Sequence, residues 1–175
     1  MRQYIAILRG INVGGKRKIL MKDLKALFVG LGFANVQTYI QSGNVVFESE
    51  VGQYSIIEGM IGDGIAHQYG FEVPVIVRTA HEWKQLVEDN PYKGEDINQL
   101  HVTFFKAMPS NKLLTELKAF VASPDEFTLL KQQVYIRCFG KYHETKLGNN
   151  IFEKKLKISC TTRNWKTILA ILKLL

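Results

Sequence analysis

Cysteine is scarce in this sequence: Cys138 and Cys160 are the only two among 175 residues. Two thiols make neither a disulfide framework nor a metal quartet, so the fold has to be held by its own core. Both are expected to stay reduced in the cytoplasm. Long apolar runs are missing too. No stretch approaches the roughly 20 residues that a membrane-spanning helix needs, so no membrane partner is expected. The first ten residues, MRQYIAILRG, hold a single short apolar block before Arg9, which is not the layout of a secretory signal. The expected location is cytoplasmic.

Catalytic and metal-binding patterns are absent as well. The four histidines, His67, His81, His101 and His143, include no H-x-x-x-H pair, so no metal site is expected. His143 and Glu144 are neighbours, and neighbours on a strand or helix point apart. No G-x-S-x-G nucleophile elbow occurs. Cys138, in a strand near Lys141 and His143, reads as a buried structural thiol rather than an activated one. Nothing calls for a cofactor, and the residues leave open whether the protein is an enzyme.

Positive charge is plentiful and unevenly placed. The formal net charge is +7. Residues 1–25 carry seven basic residues against one acidic, residues 26–130 carry six against thirteen, and residues 131–175 carry ten against two. Two basic ends flank an acidic middle. Brought together by the fold, the ends would form one cationic face.

Apolar periodicity orders the chain. Tyr4–Leu8 reads as a buried strand. Leu24, Leu27, Phe28 and Leu31 have helical spacing up to Gly32. Val36–Ile40 and Val45–Glu48 read as a hairpin joined through Gln41-Ser42-Gly43-Asn44. Residues Ile56 to Ala66 predict a second helix, and Val73–Arg78 a strand whose Pro74 suits its start. The order β-α-β-β-α-β is that of a ferredoxin-like unit. The remainder predicts a helix over His81–Glu88, a strand over His101–Lys106, and a helix over Pro109–Val121 with Leu113, Leu114, Leu117 and Phe120 on its apolar side. A hairpin of Phe127–Leu130 and Val134–Arg137 follows, then helices over Leu147–Lys157 and Asn164–Leu174. The fold class is therefore α+β: a ferredoxin-like subdomain over residues 1–79, then a related β-α-β-β-α subdomain over residues 80–175 that ends in a C-terminal helix instead of a fourth strand.

The loop after the first strand is the most informative stretch. Gly10, Gly14 and Gly15 free its backbone, and Arg9, Lys16, Arg17 and Lys18 surround them with charge. Gly10 through Lys16 fits G-x-x-x-x-G-K, but Arg17 stands where a P-loop needs Ser or Thr for magnesium. An antiparallel sheet is also the wrong scaffold, so the loop reads as a looser anion site. Arg9, Asn12, Gly14, Gly15 and Lys16 are its candidate ligand-binding residues. In the hairpin turn, Gln41, Ser42 and Asn44 offer amides and a hydroxyl. This turn is expected at the sheet end that holds Arg78, with Arg9 at the opposite end. Near the C-terminus, Thr162 or Asn164 is expected to cap the last helix. Arg163 adds charge to that N-terminus, and Trp165 offers a face on which a base could stack.

These strings together resemble one family. YIAILRGINVGGK (4–16), TYIQSGNVVF (38–47), VPVIVRT (73–79), HVTF (101–104), TKL (145–147) and TTRNWKT (161–167) resemble, in order, the bacterial family of domain of unknown function 1697. Thr145 stands where that family often has serine, which keeps the hydroxyl. The resemblance implies a two-part α+β architecture with ferredoxin-like pieces, and implies no reaction, cofactor or catalytic residue.

Three functions are compatible with the residues. The first is recognition of a phosphate-bearing ligand or single-stranded nucleic acid, with Tyr4, Tyr39 and Phe47 as stacking candidates on the sheet, although the basic-GFGFVxF signature of that class is absent. The second is an enzyme on a small anionic substrate clamped by Arg9, Lys16 and Arg163. The third is a scaffold or homo-oligomer that uses a sheet edge or the apolar tail with Ile168, Leu169, Leu172 and Leu175, residues that serve equally well to close the protomer's own core.

Overall fold

The computed structural model describes residues 1–119 and 123–175, leaving aside the side chains of Leu113, Leu114 and Lys118. Phe120 and Val121, the expected end of the fourth helix, lie outside the described residues. The chain divides into one unit of Met1–Gln85 with Ile171–Leu175, and another of Leu86–Ala170.

The first unit runs β1 (Arg2–Leu8), α1 (Met21–Gly30), β2 (Ala34–Tyr39), β3 (Asn44–Ser49), α2 (Tyr54–Tyr69) and β4 (Val75–Thr79). Its antiparallel sheet has the order β2-β3-β1-β4, the ferredoxin-like arrangement expected. Alternation along the strands sends Tyr4, Ala6, Leu8, Val45, Phe47, Val75 and Val77 into one core with Leu24 and Phe28 of α1 and Ile57, Ile61 and Ile65 of α2. Phe47 stacks on Tyr4, meets Phe28 edge-on and packs tilted against Phe33. The intervening residues Ile5, Ile7, Val46 and Ile76 of β1, β3 and β4 are buried as well, and on that face only β2 is open, with Asn35 and Gln37 exposed. Gly32 (φ +87°) turns the chain out of α1. The Phe33 amide then reaches back to the Phe28 carbonyl at 3.2 Å, a Schellman closure that only a left-handed residue permits.

The second unit runs β5 (Leu100–Phe105), α4 (Asn111–Lys118), β6 (Glu126–Leu130), β7 (Gln133–Arg137), a single 3-10 turn at Tyr142–Glu144, α5 (Asn149–Leu156) and β8 (Cys160–Asn164). Helix α3 (Ala80–Glu88) leads into it and α6 (Trp165–Leu172) leads out. Its sheet order is β6-β7-β5-β8, the same topology as the first. Here the structure corrects the expectation that this unit lacks a fourth strand. Thr161 and Thr162 do not open the last helix. They lie in β8, antiparallel to β5, with Phe104 opposite Thr161 and Thr103 opposite Thr162. β-branched threonines suit a pleated strand, and the Thr103 and Thr162 hydroxyls bond at 2.7 Å.

The strand also reveals a correspondence between the units. Arg78 and Arg163 are each the fourth residue of their unit's last strand, and both are buried. Each guanidinium donates to the carbonyl of its preceding residue, Val77 at 2.8 Å and Thr162 at 2.9 Å. Each is followed by a helix cap. Thr79 and Glu82 form a reciprocal capping box on α3 (2.8 and 3.2 Å), which satisfies two orphan backbone donors. Asn164 Oδ1 accepts the Thr167 amide at 2.8 Å, so the expected Asn164 cap is present.

Candidate phosphate-binding site

The loop after β1 is an ordered finger. Val13 and Lys16 pair as a β-bridge, with the Lys16 amide donating to the Val13 carbonyl at 3.1 Å. Gly14 (φ +57°) and Gly15 (φ +74°) form the two-residue connection. Positive φ at both central positions is the signature of a type I′ turn, and explains why both are glycine. The Asn12 amide closes the base of the ribbon on the Arg17 carbonyl at 3.1 Å. The bridge takes up the Lys16 amide, so the loop is a β-ribbon, not the amide cradle of a P-loop.

Three anchors hold the finger. Ile11 and Ile19, on either side of it, are buried in the first core. The Asn12 side chain donates to the Ile19 and Gln41 carbonyls and accepts the Ile19 amide, each at 2.9 Å. The turn between β2 and β3 then packs beneath. Leu8 donates to the Gly43 carbonyl at 2.8 Å, and a Cβ on Gly43 would lie 2.8 Å from both Leu8 Cβ and Ile11 Cδ1.

This placement reverses an expectation. The register pairs Ile7 with Asn44 and Ile5 with Arg78. The Gln41–Asn44 turn is therefore at the Arg9 end of the sheet, and Arg78 is at the other. The two glycine-rich motifs of this unit, RGINVGGK and QSGN, form one interlocked structure.

Each candidate residue now has a position. Lys16 is exposed at the finger, Gln41 is exposed at the turn, and Arg9 and Ser42 are half-buried beside them. Asn12 is committed to the finger's anchor. Asn44 is buried and its Nδ2 bonds Tyr39 O (3.1 Å) and Ser42 Oγ (3.0 Å), which shapes the turn. Arg163, Asn164 and Trp165 belong to the other unit. Arg163 lies within its sheet with Nη1 on Thr161 Oγ1 at 2.9 Å, and burial lowers its pKa to about 10. Trp165 is buried and presents no stacking face. Tyr4 and Phe47 are likewise fully buried, which leaves Tyr39, half-buried at the end of β2, as the one partly exposed member of the expected aromatic platform.

The finger extends beyond the predicted residues. Arg17, Lys18, Lys22 and Lys25 are exposed alongside Lys16. Among the described residues none of these five makes an ion pair. Arg17 and Lys18 were already visible beside the loop's glycines, whereas the basic count of residues 1–25 was the only signal for Lys22 and Lys25.

Two buried polar clusters escaped the sequence reading. In the first unit, Glu58 Oε1 accepts the Val77 amide at 3.0 Å, and Glu82 Oε2 accepts the Tyr54 hydroxyl at 2.6 Å. Burial, then the bond to Glu82, pushes the Tyr54 pKa up to about 12. Burial lowers that of Arg78, against the opposing pull of Glu82 and Glu58. The T-x-x-E spacing of Thr79 and Glu82 was the available signal. In the second unit, His101 stacks on Tyr142 with ring centroids 4.5 Å apart, and Thr162 donates to Asn149 Oδ1 at 2.7 Å. The Thr145 hydroxyl bonds Asp125 and accepts the Leu147 amide, the use to which this position puts its hydroxyl. Burial pushes the Cys138 thiol up to about 11, as befits a structural cysteine. Among the described residues, no group of three or more His, Cys, Asp or Glu side chains could hold a metal ion, and no helix is long and apolar enough to cross a membrane.

Comparison with known proteins places this architecture. The model of the family described as "Protein of unknown function (DUF1697)" matches residues 1–135, a span that includes the finger, the interlocked turn and β6 and ends within β7. The chain belongs to the DUF1697 family. Among solved structures, this DUF1697 protein is similar to the conserved bacterial protein SP0830 from Streptococcus pneumoniae, with a TM-score of 0.81 and 22% identity over 99% of this chain and 98% of that one. That likeness is one of fold. A comparison with curated proteins finds no match.

Proposed function

We propose that this protein binds a phosphate-bearing polyanion, nucleic acid foremost, through the finger around Gly14-Gly15 and the neighbouring Gln41-Ser42 turn. The observation that carries the reading is the set of five exposed cations, Lys16, Arg17, Lys18, Lys22 and Lys25, on and beside a pre-ordered ribbon and without ion pairs among the described residues. A carboxylate partner would compete with phosphate, and none is paired to them. The anchors at Ile11, Asn12 and Ile19 have already ordered the backbone, so binding spends less conformational entropy than it would in a loose loop.

The chemistry is electrostatic. Lysine and arginine neutralise backbone phosphates and release condensed counterions, so affinity depends on salt. Such contacts carry no sequence information. The finger's exposed ribbon fits a polymer better than it fits a small metabolite, which calls for a concave pocket.

The test is fluorescence anisotropy of a labelled oligonucleotide titrated with the intact protein at two salt concentrations, alongside the variant Lys16→Gln/Arg17→Gln/Lys18→Gln. Micromolar binding that weakens with salt, and that is weaker and less salt-dependent in the variant, is expected. Equal binding by the variant refutes the assignment to the finger.

A further inference from the structure

We infer that the polyanion is double-helical DNA and that the finger enters its major groove with Gly14 and Gly15 leading. This inference rests on the polyanion reading and narrows it.

The first argument is the absence of a stacking platform where one was expected. Proteins that hold single strands combine a cationic groove with aromatic faces on which successive bases stack. Tyr4, Phe47 and Trp165 are buried, and so are Ile5, Ile7, Val46 and Ile76 on the sheet's other face. Around the finger and its neighbouring turn the exposed side chains are cations, Val13, Leu20, Ile40 and Gln41, none of them aromatic, and Tyr39 is half-buried. A site of this kind holds phosphates whose bases are already stacked on one another, which is the state of a duplex.

The second argument is shape. Val13 and Lys16 face each other across a two-stranded ribbon. Such strands lie about 4.8 Å apart, and the major groove of B-DNA, about 12 Å wide and about 8.5 Å deep, admits a β-ribbon. The major groove of an RNA duplex is too narrow for side chains to enter. At the tip, a Cβ on Gly14 or Gly15 would meet nothing within 4 Å. The leading end is therefore bare backbone with open space around it, while Lys16, Arg17 and Lys18 follow on the returning arm, set to meet the phosphates along the groove's lips.

The experiment titrates the intact protein against four probes at one near-physiological salt concentration: a 20-mer single-stranded DNA, its DNA duplex, the matching RNA duplex and inorganic polyphosphate. The DNA duplex is expected to bind at least tenfold more tightly than the other three. Dimethyl sulfate, which methylates guanine N7 in the major groove, is expected to be blocked over the bound segment, and the protection should vanish with Lys16→Gln/Arg17→Gln/Lys18→Gln. Equal affinity for all four probes, a preference for single strands or duplex RNA, or duplex binding without N7 protection overturns the groove assignment and leaves the polyanion reading standing. Binding to none of them, at low salt as well, overturns both.

Discussion

Replacing Gly43 by alanine tests whether the turn and the finger are interlocked. Gly43 has φ +78°, where an L-residue costs about 1–2 kcal/mol. Its new methyl would lie 2.8 Å from Leu8 Cβ and Ile11 Cδ1 and 3.0 Å from Ile11 Cγ1. Both neighbours are essentially without exposure, Leu8 at 0% and Ile11 at 1%, so neither can swing into solvent. Overpacking of this kind costs about 1–3 kcal/mol. Reduced freedom of the unfolded chain returns about 0.4–1 kcal/mol, so the net loss is roughly 3 kcal/mol. For a chain of this size that lowers Tm by roughly 9 °C. Gly14→Ala is the internal control. It has similar backbone strain (φ +57°) and nothing within 4 Å of its Cβ, so it should lose about 1 kcal/mol and roughly 3 °C by the same reasoning. Thermal unfolding followed by circular dichroism gives both values. If Gly43→Ala lost no more than Gly14→Ala, the packing of the turn on Leu8 and Ile11 would be refuted.

Other substitutions probe separate parts of the account. Asn12→Gly tolerates the φ of +56° but removes three side-chain bonds, so urea unfolding should show a loss of about 2 kcal/mol and the Ile19 amide should exchange faster. Burial lowers the His101 pKa from 6.5. The unfolded chain therefore takes up a proton below about pH 6.5 that the folded chain resists, and stability should fall as pH drops through that value. His101→Phe preserves a ring against Tyr142 and should remove this part of the difference in urea midpoint between pH 7.5 and 5.5; an identical difference in the variant would contradict the assignment. With its thiol pushed up to about 11, Cys138 should resist thiol reagents at pH 8 until the protein is unfolded, and rapid labelling of the native protein at that position would show the site to be open.

The architecture was legible where apolar periodicity was strong. Tyr4–Leu8, the first hairpin and α1 stand close to where their patterns put them, because burial on one face imposes that periodicity directly. The missed strand, β8, carries Thr161, Thr162 and Arg163, whose polarity concealed it. Their hydrogen bonds to neighbouring strands and side chains take the place of apolar burial. The Asn164 cap was read correctly, yet the helix it opens starts from a strand. The candidate site was legible as letters and misplaced as geometry. The string RGINVGGK announced glycine and charge, but its distance from QSGN followed only from the register of β1 on β3, which sets Ile7 opposite Asn44. Asn12 looked like a ligand-binding amide because an isolated motif does not show which carbonyls a side chain will meet. Arg78 and Arg163 were invisible as buried groups, since sequence alone treats arginine as a surface residue.

The central claim is that the finger's cations meet phosphates, and the salt dependence of DNA binding tests it most directly. Each neutralised phosphate contributes about 0.9 to the slope of log K against log salt. Replacing Lys16, Arg17 and Lys18 together by glutamine should therefore flatten the slope by about 2.7 relative to the unaltered protein, measured on one DNA duplex across a salt series. A slope left unchanged by the triple substitution would contradict the account, because the protein would then be meeting DNA, if at all, with another surface.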